Sequence, residues 1–179
     1  QEMLYQFHGF FERTRSTRTY LINTASHVMG YLGEVNDNTI KEDAYYISGD
    51  LIGISGVEAA YEEPLRGEKG MELVLVDVHN IKKDKFNEGK YDTTSVSGNN
   101  IVLTIDADLQ QYGEQLMQNK IGGIVAIEPS TGEILTLVSS PYYNPKILTG
   151  RDRSVNFKSL LENENKPLFN RALLGQYAP

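Results

Sequence analysis

The 179-residue chain has no cysteine, which removes disulfide frameworks and thiolate zinc sites and fits either a reducing cytosol or an envelope protein that avoids thiols. Long apolar runs are also missing. The longest, Ile101 to Ile105 and Gly122 to Ile127, fall far short of the roughly 20 residues that a membrane-spanning helix needs. No basic stretch followed by an apolar one opens the chain, so no signal peptide is visible, and Gln1 in place of Met reads as the start of a piece of a longer protein. Histidine is scarce. His8, His27 and His79 include no pair at the i, i+4 spacing that puts two ligands on one helix face, and no metal site is expected. Internal repeats and Pro-rich or Gly/Ser-rich linkers are absent as well. The densest basic cluster, Lys82, Lys83 and Lys85, is interrupted by Asp84. It reads as a solvated loop and excludes a nucleic-acid-binding face.

What is present is ordinary for a globular protein: 40% hydrophobic and 23% charged residues, with a net charge of −7. The acidic excess lies in residues 34–133, and residues 134–179 carry a basic one. A compact chain of this size buries roughly 70% of the surface that its unfolded form exposes, so its core needs no covalent staple.

Thr24 can cap a short helix to Met29, after which Gly30 and Gly33 break any regular period. Residues 36–50 are polar and read as a surface loop with at most one helical turn. Ser55 and Glu58 have the spacing of a capping box, which predicts a helix from Ser55 to about Arg66 with Val57, Ala60, Tyr61 and Leu65 on one face. Pro64 and Gly67 limit its length. Glu72 to Val78 and Ile101 to Ile105 read as strands with a loop or loose hairpin between them. Asp106 caps a helix to about Asn119, with Leu109, Tyr112 and Leu116 on a common face; Gly113 weakens it without breaking it. Gly122 to Glu128 and Glu133 to Ser139 form a hairpin closed by Pro129, Ser130, Thr131 and Gly132. Both strands are apolar on both faces and call for cover on both sides. With one long helix nearby, part of that cover is expected from sequence beyond the chain or from another molecule. The end at Pro179, where a helix gives way to a turn, reads as a second cut.

Ser139 and Ser140 end a strand before Pro141, but no Gly-x-Ser-x-Gly elbow or nearby histidine activates them, and a strand-end role is the better reading. Asp106 and Asp108 are explained by capping and by the positive first turn of a helix. Serine chemistry without histidine uses Ser-x-x-Lys, in which the amine lies one helical turn from the hydroxyl. None of the ten lysines has a serine three residues before it, and Lys-Thr-Gly does not occur. Ser154, Val155 and Asn156 match Ser-x-Asn, a pattern too short to count.

Several longer segments, in order, resemble one family. Ser55 to Gly70, SGVEAAYEEPLRGEKG, is similar to the anchor-domain motif of the class B penicillin-binding proteins, the peptidoglycan D,D-transpeptidases. Ala25 to Val35, ASHVMGYLGEV, resembles the motif before it, and Leu103 to Gln110, LTIDADLQ, the interdomain motif. GIVAIEPSTGEILTLVSSPYYNP, from Gly123 to Pro145, resembles the first hairpin of the transpeptidase domain. KPLFNRALLGQYAP, from Lys166 to Pro179, resembles the approach to the active-site serine. The match covers residues 20–179, and His27, Gly30, Arg66, Gly67 and VSSP are most like the type 2 members, those of cell elongation. Departures are the missing Arg-Gly-x-Ile segment and membrane anchor, and Ile54 and Ala178 where Lys and Pro are common.

The resemblance implies an α+β fragment: a non-catalytic anchor domain of the pedestal or dimerisation type at residues 1–97, then the first helix and hairpin of a transpeptidase domain at 98–179. The family serine follows the Tyr-x-Pro segment by two residues, so catalytic, cofactor-binding and metal residues are all expected to be none, and the chain alone is expected to be inactive. Structural roles fall to Ser55 and Glu58 at a helix start, Arg66 and Gly67 at its end, Asp106 at the next helix, and Asn170 and Arg171 bracing the segment before the serine. Caps and surface ion pairs account for these residues equally well. The full-length protein would cross-link peptidoglycan stem peptides, bind β-lactams, and face the periplasm from the inner membrane beside a glycan polymerase and a rod-shape scaffold protein. Nucleic acid is not an expected partner, and the fragment can self-associate through its uncovered hairpin. Two other readings stay open: a partner-binding module without chemistry, and the anchor region of a β-lactam sensor or resistance relative.

Overall fold

The computed structural model describes residues 18–79 and 81–176; His8 and the Tyr177 to Pro179 tripeptide lie outside them. In chain order the elements are α1 (Ser26–Met29), β1 (Leu32–Glu34), α2 (Asp37–Glu42), β2 (Leu51–Gly53), α3 (Gly56–Ala60), α4 (Glu62–Arg66), β3 (Val74–Val76), β4 (Lys82–Lys85), α5 (Ala107–Leu116), β5 (Gly122–Ile127), β6 (Ile134–Ser140), α6 (Arg153–Glu162) and α7 (Arg171–Leu174). Each pair of strands, β1 with β2, β3 with β4 and β5 with β6, is antiparallel. The mixture of helices and small sheets is the expected α+β class. Compactness divides the chain into residues 63–100 and a larger unit of residues 18–62 with 101–176. The resemblance divides it at residue 97, whereas by packing the segment 18–62 belongs with the C-terminal part.

The larger unit holds the buried apolar core, which includes Leu32, Val35, Tyr46, Leu137, Val138, Tyr143 and Leu148. α1 is capped by Ala25 in the left-handed region (φ 58°) and not by Thr24, whose buried hydroxyl has no partner among the described residues. The Ala25 amide instead donates to the buried Glu114 carboxylate at 2.7 Å, which holds a conformation that alanine otherwise avoids. Gly30 (φ 80°) lies against the Ser55 carbonyl so closely that a side chain there would overlap it. The polar stretch 36–50 does contain one short helix, α2, with Asn36 accepting the Thr39 amide.

The helix predicted from Ser55 to Arg66 is two helices broken at Tyr61 (φ −121°, ψ 30°). Pro64 is the cause: it has no N–H for the Ala60 carbonyl, and its ring would collide with that group in a continuous helix. Ala60 and Tyr61 are exposed in consequence.

α5 starts where predicted, with the Asp106 carboxylate accepting the Asp108 and Leu109 amides at 3.0 and 2.9 Å. It ends at Leu116, short of Asn119, and the buried face is not the predicted one. Gln110, Gly113 and Glu114 are buried, while Leu109, Tyr112 and Leu116 are exposed. Gly113 explains the inversion, since a Cβ there would lie 2.9 Å from the Val138 methyl, and its absence lets the helix approach β6. The Gln110 amide then pairs with the edge of β6 as a strand would. Its Oε1 accepts the Leu137 amide at 2.8 Å and its Nε2 donates to the Leu137 carbonyl at 3.0 Å. Residues 101–105, predicted as a strand, make no ladder. The adjoining β6 edge is already used by Gln110, and by the Asp106 amide and Thr104 hydroxyl on the Leu135 and Ile134 carbonyls.

The β5–β6 hairpin and its turn form as predicted, with the Gly132 amide donating to Glu128 and Gly132 at φ 79°. One face, with Ile124 paired to Val138, lies on α5; the other seats α7 at Gly123 but leaves Val125 and Ile127 exposed.

In the smaller unit no described side chain is buried, and Leu75, Val76, Val78, Phe86 and Tyr91 are exposed. The strand predicted at Glu72 to Val78 shortens to β3. The cluster read as a solvated loop is strand β4, whose lysines pair with acids: Lys82 with Glu72 at 3.1 Å, Lys83 with Asp77 at 3.2 Å and Lys85 with Asp92 at 3.2 Å. Neutralisation by neighbouring carboxylates allows three lysines to share one short strand.

Candidate functional site: the seat of the 163–176 segment

The C-terminal segment is held by backbone acceptors and a few side chains. Asn170 caps α7, its side-chain oxygen accepting the Leu173 amide at 3.3 Å. Arg171 turns its guanidinium back onto the loop before it, donating to the carbonyls of Asn165 at 2.6 Å, Lys166 at 3.1 Å and Phe169 at 3.4 Å, over the Phe169 ring. The planar fork reaches several carbonyls at once, which a lysine would not do. From β6, the buried Ser139 hydroxyl accepts the Arg171 amide at 2.9 Å and donates to the Phe169 carbonyl at 3.2 Å. Opposite Ser139, Gly123 leaves room for the α7 backbone, because a Cβ there would come within 3.1 Å of the Ala172 Cα.

His27 reaches the same loop from α1. Its Nε2 lies 2.9 Å from the Pro167 carbonyl, which only accepts, so the ring carries its proton on Nε2. The ring packs edge-on to Tyr143, whose hydroxyl donates to the Ser26 carbonyl at 3.1 Å. Burial, followed by the Arg171 charge, lowers the His27 pKa to about 4 against the opposing Pro167 bond, so the imidazole is neutral. Burial raises the Tyr143 hydroxyl far above its ordinary value.

The other residues singled out in the sequence lie elsewhere. Ser55 precedes α3 but makes no side-chain cap, and the Glu58 carboxylate accepts both its bonds from Arg18 Nε at 3.2 Å. The reciprocal capping box does not form, because Arg18 supplies a charged donor to a carboxylate that is only 6% exposed. That carboxylate and burial together push Tyr20 up to about 12, burial being the larger cause. Arg66 ends α4, and Gly67 follows in the left-handed region at φ 67°. Asp106 caps α5 as expected. Sequence reasoning treated Ser139 as a strand end and passed over Gln110, Glu114 and Arg18. For the first two of these, Gly113 between polar residues at i, i+4 was the available signal. Ser140 also ties elements together, its hydroxyl lying 3.1 and 2.8 Å from the Met117 and Lys120 carbonyls. No group of three potential metal ligands occurs among the described residues. Nor is any described helix long and apolar enough to cross a membrane.

Residues 1–103 match the penicillin-binding protein dimerisation domain. The chain belongs to the penicillin-binding protein family. Over 99% of its length it is 40% identical to peptidoglycan D,D-transpeptidase MrdA of Acinetobacter baumannii, and over 98% it is 34% identical to MrdA of Escherichia coli K12. It spans 26% and 28% of those relatives. Among solved structures, PBP2 of Helicobacter pylori in complex with MreC matches with a TM-score of 0.70 and 28% identity, covering 87% of this chain and 29% of that one. Pseudomonas aeruginosa PBP2 in complex with WCK 5153 matches with a TM-score of 0.68 and 31% identity, covering 89% of this chain and 31% of that one. The likeness is to PBP2-type transpeptidases, as the sequence motifs implied, and does not favour the other two readings.

Proposed function

We propose that this chain is the anchor region and the opening of the catalytic domain of an elongation-type peptidoglycan D,D-transpeptidase. The observation that carries the reading is the dimerisation-domain match over residues 1–103, together with an alignment to MrdA relatives along nearly the whole chain. The anchor domain ends near residue 97 and the transpeptidase domain begins with α5 and the β5–β6 hairpin. In the full-length protein a serine just beyond Pro179 attacks the penultimate D-Ala carbonyl of a stem peptide, expels the terminal D-Ala, and passes the acyl group to an amine of a neighbouring strand. β-Lactams acylate the same serine. The residues of this chain make none of those bonds; Asn170, Arg171 and Ser139 set where the nucleophile-bearing segment leaves the fold.

The protein works at the inner membrane with these domains in the periplasm, beside a glycan polymerase and a rod-shape scaffold. The H. pylori PBP2 complex with MreC supports the scaffold. The uncovered apolar residues of 63–100 support a partner there. A fluorescent penicillin tests the reading: the full-length protein is labelled stoichiometrically and the 179-residue chain is not, since it contains no Ser-x-x-Lys. A covalent adduct on this chain, or an unlabelled full-length protein, overturns it.

A further inference from the structure

We infer that Ser139 and Gly123 form a seat that positions the nucleophile segment, with Ser139 acting as a positioning residue for acylation. The inference rests on the transpeptidase reading above. α7 is a single turn, and a helix of four residues does not hold itself in water. Its place is therefore set by what it leans on. Ser139 spans the N-cap residue Asn170, donating to the carbonyl on one side of it and accepting the amide on the other. With 2% of its surface exposed, the hydroxyl has no water to exchange with, so both bonds persist or both partners are stranded. Gly123, its cross-strand partner, contributes by having no side chain: the Ala172 Cα stands 3.1 Å from where a Cβ would lie, closer than side chains ordinarily pack, so a methyl there would push the α7 backbone outward. One strand pair thus fixes α7 in height, through Gly123, and in register, through Ser139. Only four residues lie between Leu174 and Pro179, so an error at the seat is carried toward the reacting atoms.

Displacements of about 1 Å remote from the chemistry cost about 100-fold in rate. The test measures acylation of the full-length protein by a fluorescent penicillin, separating the non-covalent dissociation constant from the acylation rate constant. Ser139→Ala removes both hydrogen bonds and Gly123→Ala adds the obstructing methyl. Both are expected to lower the rate constant about 10- to 100-fold while the dissociation constant changes less than about twofold. Thr136→Val is the control. It breaks a buried bond to Gln110 in the same strand but on the face turned toward α5, and it should lose stability with acylation intact. If Ser139→Ala yields no folded protein, Gly123→Ala decides on the same criteria. Wild-type rates in the seat variants, or a loss that Thr136→Val reproduces, overturn the positioning role. A wild-type protein that is not acylated overturns the transpeptidase reading instead.

Discussion

Acidification should weaken the larger unit through a single side chain, His27. Its folded pKa is about 4 against an ordinary 6.5, because burial disfavours the charged ring, with the Arg171 charge adding to this and the bond to Pro167 opposing it. A folded value below the unfolded one means that the unfolded chain binds the proton first. The stability contributed by neutral His27 is complete above about pH 6.5 and is lost as the pH falls toward 4. The full difference is worth about 3 kcal/mol, and the part lost between pH 7 and pH 5 is about 2 kcal/mol. For a protein of this size the latter lowers the melting temperature by about 4 to 8 °C. His27→Gln retains a donor for Pro167 and cannot titrate. Urea unfolding of both proteins from pH 8 to pH 4.5 should give a wild-type curve that falls about 2 kcal/mol further than that of the variant by pH 5. Parallel curves would show that the His27 ring ionises as it does in water and that its burial is not maintained in solution.

Gly67→Val should destabilise the protein by about 3 kcal/mol, since a β-branched residue resists φ 67° and its Cβ would lie 2.6 Å from the Gly98 nitrogen; an unchanged melting temperature refutes this. Gln110→Leu strands the Leu137 amide and carbonyl and the Thr136 hydroxyl, at a cost of about 3 kcal/mol. A loss below about 1 kcal/mol in urea unfolding would show that water takes over those groups. With Val125 and Ile127 exposed on the hairpin, residues 122–176 of the isolated chain should exchange amide hydrogens faster than residues 20–62, or gain protection as concentration rises. Equal and concentration-independent protection means that the chain completes this core by itself.

Some local signals were read correctly, whereas the Thr24 cap and the Ser55–Glu58 capping box gave way to the longer-range contacts of Glu114 and Arg18. The Asp106 cap, the Pro129 to Gly132 turn and the left-handed Gly67 each depend on a few neighbouring residues, so side-chain type at a given spacing suffices. Pro64 was recognised as a limit on its helix, but the break it causes falls at Tyr61, one turn earlier, where its missing N–H would have been used. The buried face of α5 was misread because apolar spacing predicts burial only if the partner surface is greasy. Here the partner is a strand edge with open N–H and C=O groups, and Gln110 satisfies them better than leucine could.

By itself the sequence determined the elements that are capped or closed locally, the absence of cysteine chemistry, and the family, through ordered motifs. Tertiary structure alone decided which face of α5 is buried, that Glu58 answers to Arg18, and that segment 18–62 packs with residues 101–176. It also decided that Ser139, His27 and Arg171 meet around the 163–176 loop. Ser139 and His27 lie between 30 and 140 residues from their partners in that loop, and a spacing of that length leaves no periodic trace. A hydroxyl on a strand looks the same in sequence whether it faces water or holds the backbone of another element.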